Sequence, residues 1–335
     1  MKVSVQIGLS VAISGFAVWY SVQGVDFGRF WHDLASARLF WLLPMVLSAI
    51  VAMLFRAWRW HVLLNLMAPI PLTPVLHATN IGFMGNMVLP LRAGEVIKPL
   101  VVARAGEISG ASALASVAVE RICDLLMLGV LAVVTVQLVP SDSILRDQLP
   151  FLVGVVGLAL VLIVLAVRFE TLVQRLVDWF AAFLPQFLGG VVREGSRGGL
   201  RSLSGLSNPG VFLRVMGMSL LVWMAAAVGF VAGALALDIQ APYLALGIAT
   251  AVIVAAAVSV PSAPGFIGVF WAGSELALGL FGVDKSLAFS FGVLTWLVQM
   301  VVICSLGTWS LGVLGLSLQD LRRAAQGAGD PPEEG

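Results

Sequence analysis

The stretch Leu89-Pro-Leu-Arg-Ala-Gly-Glu-Val-Ile-Lys-Pro99 places charged residues inside an otherwise apolar region of the chain. The charged residues are Arg92, Glu95 and Lys98. On insertion scales, a charged side chain at the centre of a membrane helix costs about 2.5 to 3.5 kcal/mol. Such residues normally face a protein interior or a wet cavity. The stretch therefore predicts a polar transport site, and the alternative is a loop that lies at the membrane interface.

The same stretch carries residues that break a helix. Pro90, Gly94 and Pro99 interrupt the pattern, and proline removes a backbone donor inside a helix. Irregular backbone at membrane depth is tolerated where it is buried in protein or lines a cavity. We therefore predict that residues 73–104 form a re-entrant helical hairpin whose tip holds residues 89–95.

The composition predicts an all-α polytopic membrane protein. Apolar residues make up 60% of the chain and charged residues 11%, and the mean hydropathy is +1.02. A soluble domain has roughly 45–50% apolar and about 25% charged residues. The formal net charge of +1 argues against a nucleic-acid-binding surface.

The few cysteine and histidine residues do not predict a metal site or a cofactor. Cys123 and Cys304 lie in separate apolar runs without CxxC spacing. His32, His61 and His77 are far apart in sequence, which disfavours a histidine-based metal or nucleophile site. We expect no bound cofactor.

The apolar stretches divide into full spans and hairpins. A span needs roughly 20 residues, and Pro/Gly-interrupted stretches suit hairpins better. We predict a second re-entrant hairpin over residues 243–281. About six full spans are then expected, over residues 4–23, 39–55, 111–138, 149–167, 210–237 and 287–316. The first of these is expected to be an uncleaved helix.

The positive charges predict the orientation of the chain. With both termini in the cytoplasm and both hairpins re-entrant, most lysine and arginine residues fall on the cytoplasmic side, as the positive-inside rule requires. This prediction counts Arg56 and Arg59, which follow the apolar stretch 39–55, among the residues on the cytoplasmic side. The expected location is the bacterial cytoplasmic (inner) membrane.

The order of spans and hairpins predicts an inverted repeat. Each half has two spans, one hairpin and one further span, so the second half is inverted and the two hairpin tips should meet. Residues 1–138 form the first repeat, and residues 139–209 hold one span and a cytoplasmic connector. Residues 210–318 complete the second repeat, and residues 319–335 form a disordered tail. The connector 168–209 is either an interfacial amphipathic helix or a solvated linker.

The second hairpin has its own interrupted tip, Val260-Pro-Ser-Ala-Pro-Gly-Phe-Ile-Gly268. Interrupted segments in corresponding positions of two halves point to a binding site between repeats. Four residues of this tip are expected to shape its backbone: Pro261, Pro264, Gly265 and Gly268.

A second charged constellation, Glu120-Arg121 followed by Asp124, lies on the predicted span 111–138. Glu120 and Asp124 are four residues apart and share a helix face, and Arg121 can pair with Asp124. Such pairing lowers the cost of burial. The cluster is either a self-satisfied lock between hairpin and helix or part of a ligand site completed by Arg92 or Lys98.

Three motifs together resemble a known family. They are Leu-Pro-x-Arg-x-Gly-Glu at 89–95, the Glu120-Arg121 pair followed by Asp124, and Pro-Ser-x-Pro-Gly-x-x-Gly at 261–268. This set resembles the lysylphosphatidylglycerol synthase transmembrane-region family of flippase-like membrane proteins. The resemblance covers nearly the whole chain and implies the movement or handling of lipids.

The chain departs from that family at two positions. Lys98 stands where many relatives have arginine, so the cation lacks a planar fork for phosphate. Relatives often carry a glutamate near the position of Trp271, and Glu275 is the nearest acid here. The given chain has no soluble acyltransferase-like domain, so we do not expect it to make an aminoacyl lipid.

The leading hypothesis is a lipid translocase, or flippase, rather than an enzyme. A polar-headed lipid, such as one bearing phosphate, would enter a cavity between the hairpins. Its headgroup would bind to Arg92, Lys98 and Asn86. The acids that orient these cations or take up a proton are Glu95, Glu120, Asp124 and Glu275, and Arg121 supports them as an ion-pair partner. The hairpin tips depend on backbone at Pro90, Gly94, Pro261, Pro264, Gly265 and Gly268.

Two other functions remain open at this point. One is a membrane-embedded enzyme that acts on a lipid-linked substrate with Glu95 or Glu120 as general acid or base. The other is a membrane partner of a lipid-modifying synthase. No GxxxxGK[ST] loop occurs, so transport would be passive, ion-coupled or driven by consumption of the lipid. The sequence leaves the lipid, the direction and the oligomeric state open.

Overall fold

A computed structural model of the chain describes residues 3–105, 108–139, 154, 157, 161, 165, 168–183 and 186–317. These residues form α-helices and short 3₁₀ turns, and no strand occurs among them. The helices are α1 (Val3–Val22), α2 (Phe27–Ala35), α3 (Leu42–Leu64), α4 (Leu72–Val88), α5 (Gly94–Ala105), α6 (Gly110–Leu138), α7 (Glu170–Ala181), α8 (Gln186–Gly205), α9 (Pro209–Ala236), α10 (Tyr243–Ser259), α11 (Val269–Gly279) and α12 (Lys285–Leu314).

Several described helices are long and apolar enough to cross a membrane. Leu39–Leu64, Pro209–Ala236 and Lys285–Leu314 each meet this requirement. The bent pair Gly8–Val22 and Phe27–Ala35, with an angle of 86°, adds a fourth if it counts as one span. The all-helical membrane class is therefore confirmed. The expected total of about six spans stays a prediction. Helix α6, at the predicted span 111–138, is not among these helices, and most of the stretch 149–167 lies outside the described residues.

Both predicted hairpins form a helix, a break and a second helix. The 3₁₀ turn Pro90–Arg92, here called the first break, separates α4 from α5. The turn Pro264–Phe266, called the second break, separates α10 from α11. In each segment the two helices pack against each other, and the two breaks contact each other. The Pro/Gly interruptions of the sequence thus lie side by side in the fold.

The helices around the breaks pack against helices that are distant in the sequence. Helix α3 packs along α9, α4 packs against α12, and α10 packs against α6. One apolar cluster gathers residues of α9 to α12, including Phe230, Phe270 and Phe291. A second gathers residues of α3 to α6, including Trp60 and Ile81. Leu89, next to the first break, belongs to the second cluster, and Phe266 of the second break packs against the first cluster.

Helix α3 corrects two predictions of the sequence. It extends from Leu42 to Leu64, well past the expected span end at residue 55. Arg56 and Arg59 were expected beyond the end of the span, and they are residues of this helix. Arg59 is fully buried, because two carboxylates of α6 accept its hydrogen bonds.

Pro99 does not break the hairpin as predicted, because α5 continues through it. This proline lies in the second turn of the helix, where it removes one early intrahelical hydrogen bond. The break instead occurs at residues 90–92, where Leu91 and Arg92 adopt φ values of 57° and 53°.

The connector between the halves contains two helices, α7 and α8. Helix α8 packs against α6, and a Cβ placed on Gly198 would come within 2.9 Å of Ser112. The second part of the connector thus packs against a predicted span, and the interfacial or solvated character of its first part stays a prediction. The predicted tail, residues 319–335, lies outside the described residues.

Candidate functional site

Four charged side chains form a buried ion cluster between α3, α5 and α6. Arg59 donates hydrogen bonds to Asp124 Oδ1 at 2.5 Å and to Glu120 Oε1 at 2.8 Å. Lys98 Nζ donates to Glu120 Oε2 at 2.5 Å. Buried charges need partners of this kind, since an unpaired charge in a low-dielectric interior is costly. Two cations and two carboxylates make this inner ion cluster neutral.

Helix geometry and neighbouring polar groups position the inner ion cluster. Glu120 and Asp124 lie one turn apart on α6 and present their carboxylates to the same face. The Lys98 ammonium also lies 4.0 Å from the centre of the Trp60 ring, a cation–π distance. The Trp60 indole N–H is held by Ser116 Oγ at 2.9 Å, and Ser219 accepts a further hydrogen bond from Arg59 at 2.9 Å.

Arg121 connects the inner ion cluster to a cavity. Its guanidinium lies 3.4 Å from Asp124, 3.6 Å from Glu120 and 3.9 Å from Glu95. These distances are longer than charge-assisted hydrogen bonds, which are about 2.7–2.9 Å. The side chain is 38% exposed, in contrast to Arg59. Arg121 is therefore held loosely by several carboxylates at the border of the cavity.

The cavity has a volume of about 310 Å³ and lies among helices α3–α6 and α9–α12 and the two breaks. This volume is at the lower end of the range for small-molecule sites, about 300–1,000 Å³. Most of its wall is apolar, with Trp223, Phe230 and Phe270 among the large side chains. Seven charged or amide side chains of the described residues line the same space: Arg56, Asn86, Arg92, Glu95, Arg121, Asp124 and Gln299.

The first break positions Arg92 at the cavity. Leu91 and Arg92 both have positive φ, a region that non-glycine residues rarely occupy and that is enriched at functional sites. The Arg92 guanidinium lies 5.5 Å from the ring centre of Phe266, which belongs to the second break and also has positive φ. The two strained turns therefore meet through a cation–π contact.

Asn86 and Glu95 complete the polar wall beside the first break. The Asn86 side-chain amide donates to Glu95 Oε1 at 3.4 Å. The Asn86 Oδ1 atom is buried and has no hydrogen-bond partner among the described residues. Gly94 lies against this amide, since a Cβ there would come within 2.6 Å of Oδ1. A buried acceptor without a partner is an available contact for a ligand donor.

Specific hydrogen bonds hold the second break in place. The Trp296 indole N–H donates to the Gly265 carbonyl oxygen at 2.7 Å. The backbone N–H of Ala263 donates to Ser14 Oγ at 2.7 Å, which ties the turn to α1. Gly265 and Gly268 have φ values of 72° and 81°, which explains glycine at both positions. Pro264 begins the 3₁₀ turn, whereas Pro261 is exposed before it.

The Trp296 hydrogen bond allows a direct test of the second break. We expect Trp296→Phe to lower the free energy of unfolding by about 1 kcal/mol, because the buried Gly265 carbonyl loses its donor. Trp271→Phe is the matched control, since the buried Trp271 indole N–H has no partner among the described residues. Thermal unfolding in detergent measures both. Equal unfolding midpoints in the two variants would contradict this role of Trp296.

Some residues predicted for the site do not line the cavity. Lys98 is 2% exposed and Glu120 fully buried, because each neutralises the other within the inner ion cluster. Glu275 lies elsewhere, with its carboxylate 4.0 Å from Lys285 Nζ. Trp271 packs edge-on against Trp296 at 5.6 Å instead of facing the cavity. In this structure Lys98 thus neutralises Glu120 and does not line the cavity.

Two arginines of the site were missed from the sequence. Arg59 belongs to the inner ion cluster, and Arg56 lines the cavity between the rings of Phe83 and Trp223, at 4.8 and 5.7 Å. Both follow the apolar stretch 39–55, and the positive-inside prediction places them on the cytoplasmic side, outside the span. The available signal was their spacing of three residues, which places both on one side of a continued helix.

Most of the chain matches a known protein family. The family model described as "Lysylphosphatidylglycerol synthase TM region" matches residues 7–307. Searches of curated proteins and of solved structures each found no match. The matched region contains both breaks, the inner ion cluster and the cavity. With nearly its whole length matched, the chain belongs to the lysylphosphatidylglycerol synthase transmembrane-region family.

Proposed function

We propose that this protein is a lipid translocase that carries a phosphate-bearing lipid across the bacterial cytoplasmic membrane. The observation that carries the proposal is the mixed character of the cavity wall. Guanidinium groups of Arg56, Arg92 and Arg121 face the same space as a large apolar surface. A lipid has these two properties in one molecule, a polar head and apolar tails. The membrane class and the family support a lipid-related role.

The proposed path lies between two re-entrant hairpins that enter from opposite faces of the membrane. The packing supports such an inverted repeat. If α3–α6 correspond to α9–α12, then the α4–α12 contact corresponds to the α10–α6 contact, and the α5–α6 contact corresponds to the α11–α12 contact. Helices α3 and α9 would pack across the symmetry axis. Broken helices that meet between inverted repeats are the arrangement of many transporter binding sites.

Each polar residue has a proposed role. Arg92 binds the headgroup phosphate, because it reaches the cavity and has no ion pair with another described residue. Arg121 and Asn86 contact the headgroup from neighbouring walls. Glu95 orients Arg121 and is the candidate for proton uptake if transport is coupled to a gradient. The inner ion cluster holds α3, α5 and α6 in the arrangement that forms the wall.

Lipid movement in reconstituted vesicles tests the proposal. An acyl-labelled fluorescent phospholipid is incorporated into both leaflets, and dithionite then bleaches the label in the outer leaflet. We expect wild-type protein to expose the inner pool to dithionite. Arg92→Ala and Glu95→Gln should each slow this step by about tenfold or more, as expected for loss of a charge-assisted contact. Measurements on Arg214→Ala, an exposed arginine of α9, provide the matched control.

The outcomes separate the candidate functions. Rapid movement that is lost in both variants and kept in Arg214→Ala supports the translocase. Lack of movement for every tested phospholipid and polyprenyl phosphate, with a folded protein, refutes it. Chemical conversion of the lipid by the purified protein would instead indicate a membrane enzyme with Glu95 at its site. A requirement for a second protein would indicate a partner of a lipid-modifying synthase.

A further inference from the structure

Two of the arginines that line the cavity form cation–π contacts with aromatic rings and no ion pair with a described carboxylate. Arg56 lies 4.8 Å from the Phe83 ring centre and 5.7 Å from that of Trp223. Arg92 lies 5.5 Å from the Phe266 ring centre. Neither guanidinium forms an ion pair or hydrogen bond with another residue in the described part of the chain. A ring face orients a guanidinium and leaves its N–H donors available to a ligand.

The described charges around the cavity are not balanced. The inner ion cluster is neutral, so Asp124 is already compensated by Arg59. The remaining charged groups at the cavity are three guanidinium groups, those of Arg56, Arg92 and Arg121, and one carboxylate, that of Glu95. Arginine stays protonated in proteins. Three positive charges against one negative charge leave a surplus of two positive charges.

A surplus of this kind favours a ligand of opposite and equal charge. Burying an uncompensated charge is costly, and the cost is relieved when a ligand supplies the missing charge. A phosphodiester headgroup with no other charge supplies one negative charge. A zwitterionic headgroup has no net charge, and a cationic headgroup adds positive charge. A phosphomonoester carries roughly −1.5 to −2 at pH 7. The phosphomonoester therefore matches the surplus most closely.

The positions of Arg56 and Arg92 also favour a phosphomonoester. Arg56 reaches the cavity from α3, and Arg92 reaches it from the first break. A terminal phosphate has three free oxygens and can accept hydrogen bonds from two separate guanidinium groups. A phosphodiester has two free oxygens and carries a substituent on each side. Two cations on different walls thus suit a terminal phosphate better than an internal one.

We propose that this site selects lipids whose headgroup ends in a phosphomonoester, and that Arg56 determines this preference. The inference rests on the translocase function proposed above and adds the substrate class. Lipids with a phosphodiester, zwitterionic or cationic headgroup are the disfavoured classes. Arg56 acts by direct contact with the phosphate, from a position fixed by Phe83 and Trp223.

The test compares lipids that differ in the headgroup alone. Acyl-labelled phosphatidic acid, phosphatidylglycerol and lysylphosphatidylglycerol are each placed in phosphatidylcholine vesicles that contain the protein. We expect wild type to move phosphatidic acid at least about tenfold faster than the other two, the ratio that corresponds to one charge-assisted contact. In Arg56→Gln the advantage should fall to about threefold or less. Arg56→Lys should keep part of it, and Arg214→Gln should keep all of it.

A binding measurement separates the inference from the transport function. The thermal unfolding midpoint of detergent-solubilised wild type is recorded with dihexanoyl phosphatidic acid, with dihexanoyl phosphatidylglycerol and with inorganic phosphate. We expect the first to raise the midpoint most. If no lipid crosses the vesicle membrane but this order holds, the transport function is refuted and the headgroup preference stands.

Other outcomes overturn the preference itself. Equal rates and equal midpoint shifts for phosphatidic acid and phosphatidylglycerol would refute it while transport stands. Stabilisation by inorganic phosphate as strong as that by phosphatidic acid would assign the site to a soluble anion instead of a lipid. An unchanged lipid ratio in folded Arg56→Gln would remove Arg56 from the selection.

Discussion

Arg59→Met is expected to lower the free energy of unfolding by about 3 to 5 kcal/mol, the usual cost of removing one partner from a buried ion pair. Arg59 is fully buried and donates to Glu120, Asp124 and Ser219. Its removal leaves the Asp124 carboxylate with Arg121 at 3.4 Å as its remaining ion-pair partner among the described residues. Thermal or SDS-induced unfolding of the purified protein in detergent measures the change.

A control and a double variant identify the cause of this loss. Arg38→Met removes an arginine from an exposed pair with Asp238, which should cost at most about 1 kcal/mol. Adding Asp124→Asn to Arg59→Met should recover part of the stability, because the buried carboxylate that has lost its hydrogen bond from Arg59 is then no longer charged. If Arg59→Met unfolds at the same midpoint as Arg38→Met, the inner ion cluster does not stabilise the fold as we infer.

Gly94→Ala is expected to displace the first break and to abolish most lipid movement. A Cβ at this position would overlap the carbonyl oxygen of Gly82 and come within 2.8 Å of the backbone nitrogen of Asn86. Helix α5 must then move away from α4, and Glu95 and Arg92 move with it. Overpacking of this kind typically costs about 1 to 3 kcal/mol. Vesicle transport and the unfolding midpoint together measure the effect.

Gly217→Ala is the matched control for this substitution. Gly217 lies within α9, and no atom lies within 4 Å of a Cβ built there. Alanine in an open helix position should be neutral or slightly stabilising. If Gly94→Ala transports lipid as fast as Gly217→Ala, close packing at the first break is not required for function.

Much of the fold could be predicted because the composition constrains it strongly. The apolar content requires helices in a membrane, since helices satisfy their own backbone hydrogen bonds. The interruptions at residues 89–95 and 260–268 marked two breaks, because proline and glycine have local effects on the backbone. The end of α3 was not predicted, because it depends on contacts with residues that are distant in the sequence. The carboxylates that pair with Arg59 and the rings that contact Arg56 belong to other helices, so the sequence did not show that both arginines are part of α3.

The candidate site was predicted in part for a similar reason. The sequence picked out Arg92, Glu95 and Asp124, which do face the cavity. It also picked out Lys98 and Glu275, which the structure places elsewhere. A charge in an apolar stretch shows that some partner is needed, but it does not show which residue supplies it. The spacing within α6 showed that Glu120 and Asp124 share a face, and it could not show that Arg59 lies opposite them.

The sequence was thus sufficient for the membrane class, the two interrupted segments and the family motifs, because each depends on composition or on residues close together in the chain. The assignment of charges to an inner ion cluster and a cavity depends on contacts between distant helices. Arg59 and Asp124 are 65 residues apart, and the two breaks lie in different halves of the chain. The surplus of positive charge at the cavity exists because Glu120 and Asp124 are already neutralised by Arg59 and Lys98. Those pairs form only when α3, α5 and α6 pack together.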